Sequence, residues 1–264
     1  MSLCTILAAA RRESRGARGR LFFFTACLAL GSMAVVGVAG LVRSVQQGIA
    51  AQSQQLLGAD VWLRSRSPLP EELVHALDEE RARGARVLAV RLVQTMARAP
   101  REDGQGGPSR LVELKAVEAG FPFHGELVLE PAGRLDEFLA ADTVVIAAEL
   151  GAMLGVRVGD ELALGSARFR VAALVLDEPG RLDPTFTAGP RVFATLDGFE
   201  RMQLDGLGSR LTHGALVALP PGAPRAAQWA QELERRVPTA ERVRIDSHEE
   251  AQPQVRRAAE RVER

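Results

Sequence analysis

Cysteine is almost missing from this sequence. Its 264 residues hold two, Cys4 and Cys27, both before or within the long apolar run near the N-terminus. No disulfide can staple the large region beyond them, so that region must be held by its own core. A hydrophobic content of 47% is enough to build one. The signatures of several chemistries are missing too. The histidines are His75, His124, His213 and His248, and none stands at metal-ligand spacing from another histidine or a cysteine. There is no G-x-S-x-G nucleophile elbow. There is no Walker A loop either, so the chain does not itself hold ATP in that way. The run Arg101-Glu102-Asp103-Gly104-Gln105-Gly106-Gly107-Pro108 is rich in glycine but lacks the Lys-Ser/Thr ending and a following helical pattern, and reads as a hairpin tip.

An excess of positive charge is also absent from most of the chain. Six of the 33 basic residues (Arg11, Arg12, Arg15, Arg18, Arg20 and Arg43) and one of the 33 acids (Glu13) precede residue 44. That leaves 27 bases against 32 acids, a net of −5, in the remainder. Phosphate binding needs the opposite balance, so nucleic acid is excluded as a partner. Glu149 and Asp160, which flank the Gly155 to Gly159 turn, come nearest to a carboxylate pair. A first-turn helix charge and a turn residue account for them more simply. No catalytic residue, cofactor-binding residue or metal ligand is assigned, and no cofactor is expected. Such a chain is expected to bind, couple or transmit rather than catalyse.

What the sequence does have is one long apolar run. Leu21 to Val42 holds 22 residues without a charge. As a helix it would be about 33 Å long, enough to cross a hydrocarbon core of about 30 Å. The arginines from Arg11 to Arg20 precede it and Arg43 alone follows closely, which places the N-terminus in the cytoplasm. A cleavable secretory leader is the competing reading, but its apolar middle is usually only about 7–15 residues. Gly31, Gly37 and Gly40 with Ala29, Ser32 and Ala34 make the run rich in small residues. That suits packing on other membrane helices, and equally it is ordinary membrane-helix composition.

The expected fold class is α+β: one N-terminal transmembrane helix followed by a mixed α/β periplasmic domain, in one or two lobes. Residues 1–20 form a basic cytoplasmic N-terminus, 21–42 the membrane helix and 43–58 a helical stalk, with Val45, Ile49, Leu56 and Leu57 at helical spacing and Gly58 as its stop. Residues 59–246 form the core domain. Its expected strands are 59–64, 87–97, 111–117, 143–147, 161–164, 167–176, 191–194, 212–219 and 242–245. Its helices are a segment opening at Pro70-Glu71-Glu72 and ended by Gly84, a turn or two over 149–154, 196–204, and an amphipathic helix over 226–237. On the 87–97 strand, Val87, Ala89, Arg91, Val93 and Thr95 share one face. From residue 247 to 264, Ala251, Val255, Ala258 and Val262 resume a helical spacing, a second leg leading back towards the membrane.

Several segments resemble one family. Arg12-Glu13-Ser14-Arg15-Gly16, leading into the apolar run, is similar to the N-terminus of FtsX-like ABC transporter permeases. Ile146 to Leu162, read through Leu150-Gly151 and Gly155 to Gly159-Asp160, resembles an element of their MacB-like periplasmic core domain, followed by a strand like Phe169 to Val175. Phe121-Pro122-Phe123-His124-Gly125-Glu126 is similar to a turn of the large permease branch, and Gln252 to Arg264 to the segment before the second membrane helix. The resemblance implies an inner-membrane permease subunit or its N-terminal part. Its partners would be the lipid bilayer, a cytoplasmic ABC ATPase subunit, and a second permease half or remaining membrane helices. ATP-driven movement would reach the outer domain by mechanotransmission. The departure is that the family has four or more membrane helices and this sequence has one. A single-pass membrane-anchored sensor or scaffold is the other reading, and a secreted enzyme a third.

Overall fold

A computed structural model describes residues 19, 22–33, 36–37, 40, 58–100, 107–178, 189–206, 210–237, 240 and 243–247. The chain divides into two compact units, Met1–Ile49 and Ala50–Arg264. In the first, residues 22–33 are helical. The Ser32 hydroxyl donates to the Leu28 carbonyl at 2.8 Å, which is how a polar side chain is satisfied on an apolar helix. No helix among the described residues is long and apolar enough to cross a membrane. The rest of the expected 21–42 helix, the stalk up to residue 57, the hairpin tip 101–106 and the final leg 248–264 lie outside the described residues.

The second unit runs β1 (Val61–Ser65), α1 (Glu71–Ala82), β2 (Arg86–Arg98), β3 (Ser109–Val117), β4 (Val128–Glu130), α2 (Leu135–Phe138), β5 (Thr143–Ala147) and α3 (Ala148–Leu154). It continues β6 (Glu161–Leu164), β7 (Ala167–Asp177), β8 (Arg191–Thr195), α4 (Leu196–Met202), β9 (Thr212–Ala218), α5 (Ala226–Arg236) and β10 (Arg244–Ser247). The expected elements of the core domain are there, with β4 and α2 added. Helix α1 starts after Pro70 with Glu71 and Glu72 in its first turn, and stops at Gly84, whose φ of +98° suits glycine.

Two substructures share strand β2. The first has strand order β10-β1-β9-β2, all neighbours antiparallel. Strands β1 and β2 are therefore parallel, separated by β9 and joined through α1. Strands β9 and β10 are likewise parallel, separated by β1 and joined through α5. Two interlocked split βαβ units of this kind make a ferredoxin-like wing. Both helices lie on one face, where Leu73, Leu77, Trp229 and Leu233 meet Val61, Leu63, Val87 and Val217. Glu80 ties the helices together: it accepts from Trp229 Nε1 at 3.1 Å and from Arg236 at 3.1 Å.

The second substructure is a closed barrel. Strand β2 pairs with β3, β3 with β8, β8 with β5, β5 with β7, β7 with β6, and β6 returns to β2 through Ala97–Leu164 and Arg98–Ala163. Inside lie Val93, Leu114, Ile146, Leu162, Leu164, Phe169, Val171 and Val192, all buried, with Leu150 of α3 and Phe199 and Met202 of α4 completing the core. At the β6–β7 turn only glycine fits: Gly165 has φ +55°, and a Cβ there would stand 2.1 Å from the Met202 carbonyl oxygen.

One residue of β7 redirects its side chains. Val144 faces Val171 but Val145 faces Ala173, so Ala172 is an extra residue on β7. Phe169 and Val171 point into the barrel, whereas Ala173 and Val175 join a third cluster on the outer wall with Phe121, Val145, Phe193 and Leu216. Strand β2 also departs from a single buried face. Val87 and Val93 lie on the expected side, yet Leu88 and Val90 are buried on the other, against the outer-wall cluster. A strand shared by two cores is covered on both sides.

Candidate functional site: the joint between the two described ends of the core domain

The described part of the second unit begins at Gly58 and ends at Ser247, and the region where these ends meet is termed the joint. Strand β10 runs antiparallel to β1 with Val61 opposite Ser247. Val61 and Ser247 therefore lie side by side at one end of one sheet, about 5.5 Å apart between Cα atoms. Arg64 of β1 pairs with the Asp246 carboxylate on β10, and Arg244 reaches the same group at 3.0 Å. Charges on this short outer strand also protect it from pairing with another chain.

The incoming segment is clamped. Gly58 has φ +65°, and a Cβ there would press on Pro122 at 3.3 Å and the Phe121 ring at 3.4 Å. Its carbonyl accepts from the amides of Phe123 at 2.9 Å and His124 at 3.3 Å. Asp60 is buried. Its carboxylate accepts from the Leu219 amide at 2.7 Å and meets His124 Nε2 at 3.1 Å, while its own amide donates to Val217 O at 2.9 Å. The turn 121–125 thus holds the first residues of the domain against β9. Its other side borders a cleft of about 430 Å³ with Arg86, Leu127, Arg134 and Leu135 on its walls. There the Asp136 carboxylate fixes the Gly120 amide at 3.0 Å, and the Arg86 guanidinium lies 4.8 Å from the Phe123 ring centroid.

Behind the clamp the barrel wall carries a buried ionic group. The Lys115 ammonium on β3 stands 3.9 Å from the Phe121 ring centroid. One step along, Arg191 of β8 lies 3.5 Å from Glu113 of β3 and 3.5 Å from Glu178, just past β7. Glu178 Oε2 and Arg191 Nε are buried and make no hydrogen bond. Burial, and then the charge of Arg191, push the Lys115 amine down to about 7, against the opposing pull of Glu178 and Glu113.

The family model described as the MacB-like periplasmic core domain matches residues 21–236. The chain belongs to this family. It is the periplasmic core domain type found in ABC transporter permeases. A curated relative, the uncharacterized ABC transporter permease YbbP of Escherichia coli (strain K12), is 28% identical over 185 residues, covering 70% of this chain and 22% of the relative. The chain therefore matches about a fifth of that permease's length. The periplasmic region of MacB from Actinobacillus actinomycetemcomitans aligns with TM-score 0.45 and 12% identity over 78% of this chain and 95% of that one. A permease-protein domain from Porphyromonas gingivalis aligns with TM-score 0.40 and 17% identity over 71% of this chain and 88% of that one.

Within this periplasmic core domain the residues singled out from sequence take up structural posts. Glu149 lies in the first turn of α3, and the Asp160 carboxylate accepts from the Arg157 amide at 2.8 Å to close its turn. His75 is exposed on α1. His213 on β9 is half-buried, and burial, then Arg91, lowers its pKa. His248 lies outside the described residues. Among the described residues no group of three or more metal-ligating side chains comes together. His124 alone of these residues enters the joint. Asp60 and Lys115 were not singled out beforehand. Asp60 carries no motif, but Lys115 has a signal in plain sight: it is the single lysine of the chain.

Proposed function

We propose that this chain is the periplasmic arm of an ABC permease in the inner membrane, working without catalysis of its own. In this reading Leu21 to Val42 crosses the bilayer with the N-terminus in the cytoplasm, and the core domain stands on the outer side. A cytoplasmic ABC ATPase supplies the work, with a second permease half or further membrane helices completing the transporter. Movement of the membrane helices would reach the domain through the joint and serve export or extraction in the cell envelope.

The observation that supports this most is the register of Val61 with Ser247. A domain whose two described ends emerge side by side from adjacent strands can sit on a pair of membrane helices and be tilted by them as one body. The absence of a catalytic motif in the sequence agrees with a mechanical role.

The placement is tested by labelling with a membrane-impermeant maleimide. In a Cys4→Ser, Cys27→Ser background, Met153→Cys (52% exposed) should label from the periplasmic side of intact cells. Cys4 in the otherwise wild-type chain should label only in inverted vesicles. The reverse pattern would sink the reading. Coupling is tested in the full permease purified with its ATPase in nanodiscs: Asp60→Ala should lower the turnover of the assembled complex, and unchanged turnover would count against the joint as the transmitting part.

A further inference from the structure

Of the 33 basic residues in this chain, 32 are arginines. The exception, Lys115, is buried. The distinction is chemical. A guanidinium keeps its proton at every pH a protein meets, whereas a desolvated amine gives it up readily. The position that carries the lysine is one where burial and Arg191 hold the amine near 7 rather than the ordinary 10.5.

What surrounds the amine is defined. Glu113 lies two residues away on its own strand, Arg191 on β8 and Glu178 beyond β7. Leu92, its register partner on β2, and Phe193, its partner on β8, bring no charge. The Phe121 ring stacks over the ammonium at 3.9 Å. That ring opens the turn whose next residues grip Gly58 and Asp60. Lys115 and the joint therefore meet on one element, the turn that Phe121 opens.

We propose that Lys115 is a proton-operated release for the joint: protonation of its amine favours a state in which the Phe121 turn lifts from the barrel wall and loosens its hold on Gly58 to Asp60. The sign follows from linkage. The closed state binds the proton more weakly than an opened state with the amine in water, so acid favours opening. Opening should rise roughly tenfold per pH unit as pH falls from about 9 to 8, and level off below about 7. The release deepens the coupling reading by naming what regulates the joint, and its test requires no ATPase, so either idea can fail alone.

The experiment uses the full chain in nanodiscs. With [13C]lysine labelling the single lysine gives one Cε resonance, whose titration midpoint is expected near 7. A midpoint near the ordinary lysine value would overturn the proposal. Hydrogen exchange at the Phe123 and His124 amides, corrected for intrinsic rates, should follow the pH dependence above. Lys115→Met should hold exchange low and flat, and Lys115→Arg should keep it high at every pH. A pH dependence that survives Lys115→Met and vanishes in His124→Gln would assign the effect to the His124–Asp60 pair and overturn the proposal. If a variant does not fold, the wild-type titration and exchange profile decide.

Discussion

Replacing Asp60 by alanine should loosen the domain at the clamp beside Gly58. The side chain is 9% exposed, so screening by water is slight. Alanine removes the acceptor of the Leu219 amide at 2.7 Å and the partner of His124 at 3.1 Å. A hydrogen bond to a charged group contributes about 1.5–3 kcal/mol, and the amide left unpaired adds a desolvation penalty. Asp60→Ala should therefore cost about 3 kcal/mol. Asp60→Asn keeps an acceptor for Leu219 and should cost about 1 kcal/mol, the charge-assisted part alone. The assay is urea unfolding of the full chain in mild detergent, followed by tryptophan fluorescence; Trp62 and Trp229 both belong to the wing. A double-mutant cycle with His124→Ala should return a coupling of about 0.5–1 kcal/mol. Equal losses for Ala and Asn would refute the Leu219 bond as the main term, and a vanishing coupling would refute the His124 contact.

Glu80 offers an acid-side test. Burial raises its pKa, but hydrogen bonds from Trp229 and Arg236 and the charges of Arg83 and Arg236 outweigh that and hold it below the ordinary 4.5. Its contribution is thus present above 4.5 and lost as pH falls through the folded value. The melting temperature of Glu80→Gln should sit below wild type at pH 6 and converge with it towards pH 3; parallel curves would reject the assignment. Strand β7 should tolerate loss of one of Ala172 and Ala173 at about 1 kcal/mol, because the strand becomes regular with its faces kept. Deleting Val145 from regular β5 turns Ile146 out of the barrel and should abolish cooperative unfolding; equal tolerance of both deletions in a thermal melt would disprove the bulge. Gly214→Ala would set a Cβ 2.5 Å from the Leu63 carbonyl oxygen. It should cost about 2 kcal/mol by urea unfolding, and a neutral result would mean that β1 and β9 are not so close.

Much of the fold was legible because its signals are local. Thr143 to Ala147 reads as a buried strand from its β-branched run and is one, and the strands on either side of Gly165-Ser166 follow from alternation and turn chemistry. The joins between elements were not legible. Barrel closure depends on two residue pairs, Ala97–Leu164 and Arg98–Ala163, whose partners are far apart in sequence. The face change in β7 hides behind an unbroken alternation of buried residues from Phe169 to Val175. Helix α2 has four residues, too few for any period to show. The joint is harder still, since Asp60, His124 and Leu219 come from three distant segments, and His124 alone stands in a stretch that the family resemblance marks.

Strand β2 pairs with β9 up to Leu92, which faces Thr212. The whole run 93–211, barrel included, thus departs and returns through neighbouring positions of the wing. In modular terms the wing is a host and the barrel a guest, grafted where a tight hairpin would otherwise suffice. Loop-closure cost grows only slowly with length, so a host can carry such a guest. The host alone carries the clamped residues Gly58 and Asp60 and the β1–β10 pair. A different guest at 92 and 212 would keep the β1–β10 pair and the Leu219 bond to Asp60 but lose the 121–125 turn that clamps Gly58, so the guest supplies part of how its host is held.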